Sequence, residues 1–163
     1  MALESDDDIG NDESDGAVFA RVYVQVRRLA AVVAPSDVDP DDLVQAAVEH
    51  SLQRGPLSDL DDPLRYLRRA VVNLSSNERR TFVRRKAAMV RLGSTESVDD
   101  ARPSDLSVLD ELTPINRAVV YLSLVEGRGS EEVGELLDLS PTAVRARLSR
   151  SRHALRSMLE NER

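Results

Sequence analysis

Apolar side chains recur at spacings of three and four along the first third of the chain: Val18, Val22, Val26, Leu29 and Val33. That period gathers them on one stripe of an amphipathic helix, and Pro35, which cannot continue the ladder, sets its end. The same spacing returns at Leu64, Leu67, Val71 and Leu74, and again at Val144, Leu148, Leu155 and Leu159. No segment alternates apolar and polar residues long enough to form a strand. The pattern predicts an all-α chain.

Helix starts are marked by one repeated device, a short polar side chain followed by proline: Asp39-Pro40, Asp62-Pro63, Thr113-Pro114 and Ser140-Pro141. The side-chain oxygen accepts from an otherwise unpaired amide of the first turn. Proline at the next position loses nothing there, because its missing N–H had no partner. Gly55-Pro56 closes the second helix. The helix from Pro63 continues through "NERRTFVRRKAAMVRL", and a helix from Thr113 to Glu126 ends at Gly127 and Gly129. Ser130 then caps the short helix "EEVGELL", which enters the turn "DLS" before Ser140-Pro141 starts the last helix. Two helices joined by so short a turn are the signature of a helix-turn-helix.

These boundaries divide the chain. Residues 1–16 hold few large apolar side chains and much charge, and are expected to be a disordered acidic tail. Residues 17–92 form a first helical domain and residues 112–163 a second. Residues 93–111 are polar and acidic, with Gly and Pro, and read as a flexible linker. Each unit is small enough for its core to be marginal, so a stabilising partner is expected.

Charge sharpens the picture. The formal net charge is −7, but residues 65–91 carry nine bases against one acid and residues 141–163 six against two. Two cationic islands in an acidic background point to a polyanion, since local potential rather than net charge steers association. Cysteine is absent, which removes disulfides, thiolate nucleophiles and cysteine-containing zinc sites. Ala17 to Ala34 is broken by Arg21, Gln25, Arg27 and Arg28, so no membrane insertion is expected, and the acidic start is no signal peptide. A soluble, cytoplasmic protein is the expectation.

In the last helix Thr142, Ala146, Ser149, Arg150 and His153 lie opposite the apolar stripe, with Arg145 and Arg147 on its flanks. Small residues permit close approach to a major groove, and arginines pair with guanine edges or phosphates. Catalysis finds little support. His50, expected to be partly buried, and His153 have no metal-ligand companion at i+4. "EGRGSEEVG" lacks the lysine and the preceding strand of a phosphate loop. No cofactor, metal or enzymatic activity is expected.

The stretch "LTPINRAVVYLSLVEGRGSEEVGELLDLSPTAVRARLSRSRHALRSML" resembles region four of bacterial sigma factors, a winged-helix-like helix-turn-helix, and among them the extracytoplasmic-function type. Gly134 stands where that family usually has alanine, and Asp138 where it has the turn glycine; aspartate tolerates the left-handed conformation better than most residues. The resemblance implies that Arg145, Arg147 and Ser149 lie near the minus-thirty-five promoter element, together with Thr142 and Arg150 on the same face. "DPDDLVQAAV" followed by "DPLRYLRRAVVNLSSNERRTFVRRK" resembles sigma region two. It implies that Asp41, Asp42, Leu43 and Gln45 dock on core RNA polymerase. It also implies that Arg68, Arg69, Asn73, Arg79, Arg80, Arg84 and Arg85 contact promoter DNA at the minus-ten element. Taken alone, Asp41 and Asp42 also read as ordinary acidic residues at a helix start, favoured by the dipole. Tyr66 reads as core, which leaves few aromatics for strand separation. An anti-sigma factor is a further partner that the resemblance admits. A sigma-like adaptor or helix-turn-helix regulator that binds without opening promoters, and a helical module binding a regulatory protein, are the other readings.

Overall fold

The structure, a computed structural model, describes residues 14–91, 109 and 111–161, with side chains at 14–78, 109 and 111–160. Most of the expected acidic tail and most of the linker lie outside the described residues. Among the described residues six α-helices follow in order: α1 Asp15–Val33, α2 Pro40–Leu52, α3 Pro63–Arg91, α4 Pro114–Val120, α5 Ser130–Leu137 and α6 Pro141–Asn161. A 3-10 turn, Leu57–Asp59, joins α2 to α3, and α4 runs on through wide π-type turns at Tyr121–Val125. The described residues form no strand.

The stripe that predicts α1 is the stripe it buries: Val18, Val22, Val26, Leu29 and Val33 are all in the core. The helix begins earlier than residue 17, because Ser14 Oγ accepts from the Ala17 amide at 3.3 Å and Asp15 anchors the start by accepting from Ser58 N–H at 3.0 Å. Three of the four polar-proline starts are capped as expected. Asp39 accepts from Asp41 N–H (2.8 Å), Asp62 from Arg65 N–H (2.9 Å) and Ser140 from Ala143 N–H (3.1 Å). Thr113 departs from the pattern and makes no side-chain cap bond. Ser130 departs too. It is the first residue of α5, and Gly129 takes the cap position, its amide donating to Glu132 Oε2 at 3.3 Å. Leu159, assigned to the apolar stripe of α6, is 56% exposed, because that end of the helix runs past the body of the protein. His50 is exposed rather than partly buried.

The two helical units are not held apart. α1 and α3 both pack against α4, α3 also packs against α5, and α6 lies across α4 and α5. One continuous apolar core runs from Val18 and Leu29 through Leu67 and Val71 to Val119, Leu122 and Val144. The last turn of α1 shows why. It contains no basic residue of its own, and a helix C-terminus leaves carbonyls that need donors. Those donors come from elsewhere: the Ser75 hydroxyl of α3 donates to Val33 O. The buried guanidinium of Arg117 in α4 donates to Ala34 O at 3.1 Å and Val32 O at 3.5 Å, and to Leu112 O at 3.1 Å. A cation from the second unit therefore finishes the first helix of the first.

Candidate nucleic-acid interface

The helix-turn-helix is built by its turn. Asp138 sits in the left-handed region at φ 59°, ψ 47°, the conformation its replacement of glycine requires. The amides of Asp138 and Leu139 both turn back onto Gly134 O, the latter at 2.9 Å, which satisfies the end of α5 in the manner of a Schellman motif. Gly134 matters more than Asp138. A Cβ there would stand 2.5 Å from the Leu139 carbonyl oxygen, so the backbone passes where a side chain would begin. Val133 and Leu137 of α5 and Val144 of α6 are buried beneath the turn and fix the angle between the helices.

α6 presents the expected polar face. Thr142, Arg145, Ala146, Ser149, Arg150 and His153 are exposed. Arg145 Nη2 donates to Thr142 Oγ1 at 3.2 Å and Arg150 Nε to Ala146 O at 3.2 Å, contacts along the helix that hold both guanidinium groups over its surface. Arg147 differs. It is half-buried and donates to Asn116 Oδ1 of α4 at 3.0 Å, so it braces the two helices. Arg152 and Arg156 are exposed and line one surface groove with Arg145, Ser149 and His153. The signal for them is in the sequence: positions 145, 149, 152 and 156 follow i, i+4, i+7, i+11, a single helical stripe.

The first unit is arranged differently. Asn73 is exposed, and Arg79, Arg80, Arg84 and Arg85 fall on α3 where side chains lie outside the described residues. Arg68 is not at the surface: it is 1% exposed and its Nη2 donates to Glu126 Oε1 at 2.7 Å. Arg69, 40% exposed at its side chain, pairs with Asp138 on the turn before α6. In this arrangement neither presents an unengaged guanidinium. Glu126 also accepts from Arg128 Nε at 2.8 Å, and Arg128 reaches Glu132 at 3.2 Å. Both carboxylates raise the Arg128 pKa, and the Tyr121 phenol is pushed up by burial and then by Glu126.

Of the residues expected on the polymerase-facing side, Asp41 and Asp42 are exposed at the start of α2 and Gln45 is exposed one turn on, donating to Glu49 at 2.9 Å. Leu43 is in the core at 3% exposure, so it shapes α2 from behind and offers no contact. Asp41 is tied to α1: it accepts from the Tyr23 hydroxyl at 2.7 Å and from Arg27 Nε at 3.0 Å. The tyrosine hydrogen bond, then the arginine, holds its carboxyl below the usual aspartate range. Tyr66 is half-buried against the core, as expected. Among the described residues no group of His, Asp or Glu is placed to hold a metal ion, and no helix is long and apolar enough to cross a membrane.

A 21-residue cationic helix set by a tight turn over the short α5, with small side chains between its arginines, has the geometry of a helix-turn-helix. Residues 106–155 match the family model described as Sigma-70, region 4. The RNA polymerase sigma factor CarQ of Myxococcus xanthus is 43% identical over 65 residues. The aligned stretch is 37% of this chain and 37% of that protein's length. A solved structure, the sigma factor RpoE in complex with the anti-sigma factor NepR from Bartonella quintana, shares the fold, with a TM-score of 0.61 at 17% identity. The similarity covers 89% of this chain and 96% of that one.

Proposed function

We propose that the chain is a sigma factor of extracytoplasmic-function type, which binds core RNA polymerase and directs initiation at promoters by reading two elements. The observation that carries the reading is the exposed arginine stripe of α6, on the second helix of a helix-turn-helix within a region-four match. α6 reads the minus-thirty-five element through Thr142, Arg145, Ser149 and Arg150, with Arg152 and Arg156 on phosphates and Arg147 holding the helix in place. α3 grips the minus-ten element through Arg68, Arg69, Asn73, Arg79, Arg80, Arg84 and Arg85. Asp41, Asp42 and Gln45 at the start of α2 meet the polymerase, with Leu43 anchoring that turn to the core. An anti-sigma factor is a natural regulator of such a chain. A second reading, an adaptor that binds without opening promoters, draws on the burial of Arg68, which withdraws one guanidinium from the surface of α3.

The α6 assignment has a quantitative consequence. Each phosphate neutralised by a cation releases counterions, so the slope of log K against log salt counts the contacts at about 0.9 per phosphate on duplex DNA. Replacing Arg152 and Arg156 by alanine together is expected to flatten that slope by about 1.8. Fluorescence anisotropy of the full chain on a promoter duplex, between low and physiological salt, measures it. An unchanged slope would remove α6 from the interface.

A further inference from the structure

Asp41 is given a task outside its own helix. A carboxylate in the first turn of a helix usually serves that turn, by accepting from an unpaired amide or by facing the positive end of the dipole. In α2 the capping bond belongs to Asp39, which accepts from the Asp41 amide at 2.8 Å. The Asp41 side chain reaches sideways to α1 instead. There the Tyr23 hydroxyl donates to Oδ1 at 2.7 Å and Arg27 Nε donates to the same atom at 3.0 Å. Tyr23 and Arg27 stand at i and i+4 on α1, so their two donors converge on one point.

Cohesion does not explain the arrangement. Arginine joins a carboxylate best through two parallel bonds that use both oxygens. Here Tyr23 and Arg27 crowd onto one, and among the described residues no hydrogen bond or ion pair reaches Oδ2. The side chains of Arg27 and Asp41 are 45% and 48% exposed, and an ion pair so open to solvent adds little to stability. α1 and α2 already pack together over a core that holds Val22, Val26, Leu43, Val44 and Ala47. What the two donors do is hold still a carboxylate that would otherwise rotate in solvent. Tyr23 is itself held, its ring packed against the core and 5.4 Å from that of Phe19. Asp42, the exposed neighbour, receives no such bond among the described residues.

We propose that Tyr23 and Arg27 are positioning residues for polymerase binding: by fixing Oδ1 of Asp41 they present Oδ2, already oriented, to a donor on the polymerase. The proposal rests on the reading of α2 as the helix that meets polymerase. Both residues act through Asp41. Ordering a side chain at an interface lowers affinity, and a side chain ordered beforehand avoids that loss. The arrangement leaves a mark on both partners. The Asp41 carboxyl is held below the usual aspartate range, by the tyrosine bond first and the arginine second. The Tyr23 phenol is pushed up, first by the hydrogen bond to Asp41 and then by burial.

The test pairs two measurements on the full chain. Carbon-detected NMR follows the Asp41 carboxyl through an acid titration, without polymerase. In Tyr23→Phe the titration is expected to move up toward the usual aspartate range, because the bond that favoured the charged form is gone. Surface plasmon resonance then measures binding to immobilised core polymerase. Tyr23→Phe and Arg27→Gln are each expected to weaken affinity about two- to tenfold, the cost of ordering one side chain on binding, while keeping the thermal midpoint of the wild type. The loss should vanish in an Asp41→Ala background, where no carboxylate remains to be positioned, and persist in full beside Asp42→Ala, since only residues that act through one another depart from additivity. An Asp41 titration that does not move in Tyr23→Phe overturns the proposal. So does a titration that moves with no change in affinity, and so does a loss of the same size in the Asp41→Ala background, which would mean that Tyr23 acts without the carboxylate. A wild-type chain with the expected titration and no affinity for core polymerase would instead sink the reading of α2 as a polymerase-binding helix, and the proposal with it.

Discussion

Arg117→Ala should destabilise the protein by roughly 2–4 kcal/mol, more than the removal of any cation on the α6 face. Its guanidinium is buried at 4% exposure and donates to Leu112 O, Val32 O and Ala34 O. Alanine leaves these acceptors without that donor in a site with little access to water, and each buried acceptor left unsatisfied costs about 1–3 kcal/mol. Two of the three carbonyls belong to the end of α1, so the loss falls on the junction between the units and not on one of them. Urea unfolding followed by circular dichroism is expected to show a lower midpoint and a second, earlier transition as the second unit melts away from the first. Lysine should restore little of this. It carries the charge but lacks the planar fork that spans separate acceptors. A midpoint within experimental error of the wild type would mean that the α1 carbonyls find other donors.

Gly134→Ala should also have a large effect, in a different place. The added Cβ meets the Leu139 carbonyl oxygen at 2.5 Å, and the clash is with backbone, which cannot swing aside as a side chain would. The turn must open, and crowding of this kind costs about 1–3 kcal/mol. The angle between α5 and α6 would change with it. Loss of duplex affinity is therefore expected to exceed what the stability loss explains, because α6 is held in position through Leu139 and Pro141. Thermal unfolding alongside anisotropy separates the two effects. If alanine is accepted at full stability and affinity, the tight approach of α5 to the turn is not required for the fold.

Much of this architecture is legible in the order of the amino acids. The five apolar positions of α1, three of the four polar-proline starts, the helix-turn-helix and the exposed face of α6 all follow from local rules: period, capping and turn chemistry. What escaped depends on long-range packing. Arg68 reads as one more surface arginine, yet Arg68, Val72 and Ser75 are all buried at i, i+4 and i+7. They make a second buried stripe beside Leu67 and Val71. Two adjacent stripes mean a helix covered on more than one side, and only the packing of the second unit supplies the cover. Arg117 gave a clearer sign. It interrupts "PINRAVVYLSLV", a stretch otherwise apolar on nearly every side, and such helices are buried. Leu159 misled in the other direction, because periodicity states which face is apolar and not how far the body of the protein extends beneath it. The missing cap at Thr113 has no comparable explanation in its surroundings.

The α3 and α6 arginines differ in state even though they share a chemistry. Those of α6 lie open to solvent or touch only their own helix, Arg147 apart, while Arg68 and Arg69 are engaged by acids 58 and 69 residues away in sequence.

Run-off transcription with purified core polymerase from the same source measures the central claim most directly. A single start site that depends on this chain, is lost when Arg145 and Arg152 are replaced by alanine and is lost again when Arg79 and Arg80 are, is the result that a two-grip initiation factor predicts. Polymerase that binds the chain but yields no specific transcript, or transcripts indifferent to both pairs of substitutions, would contradict it.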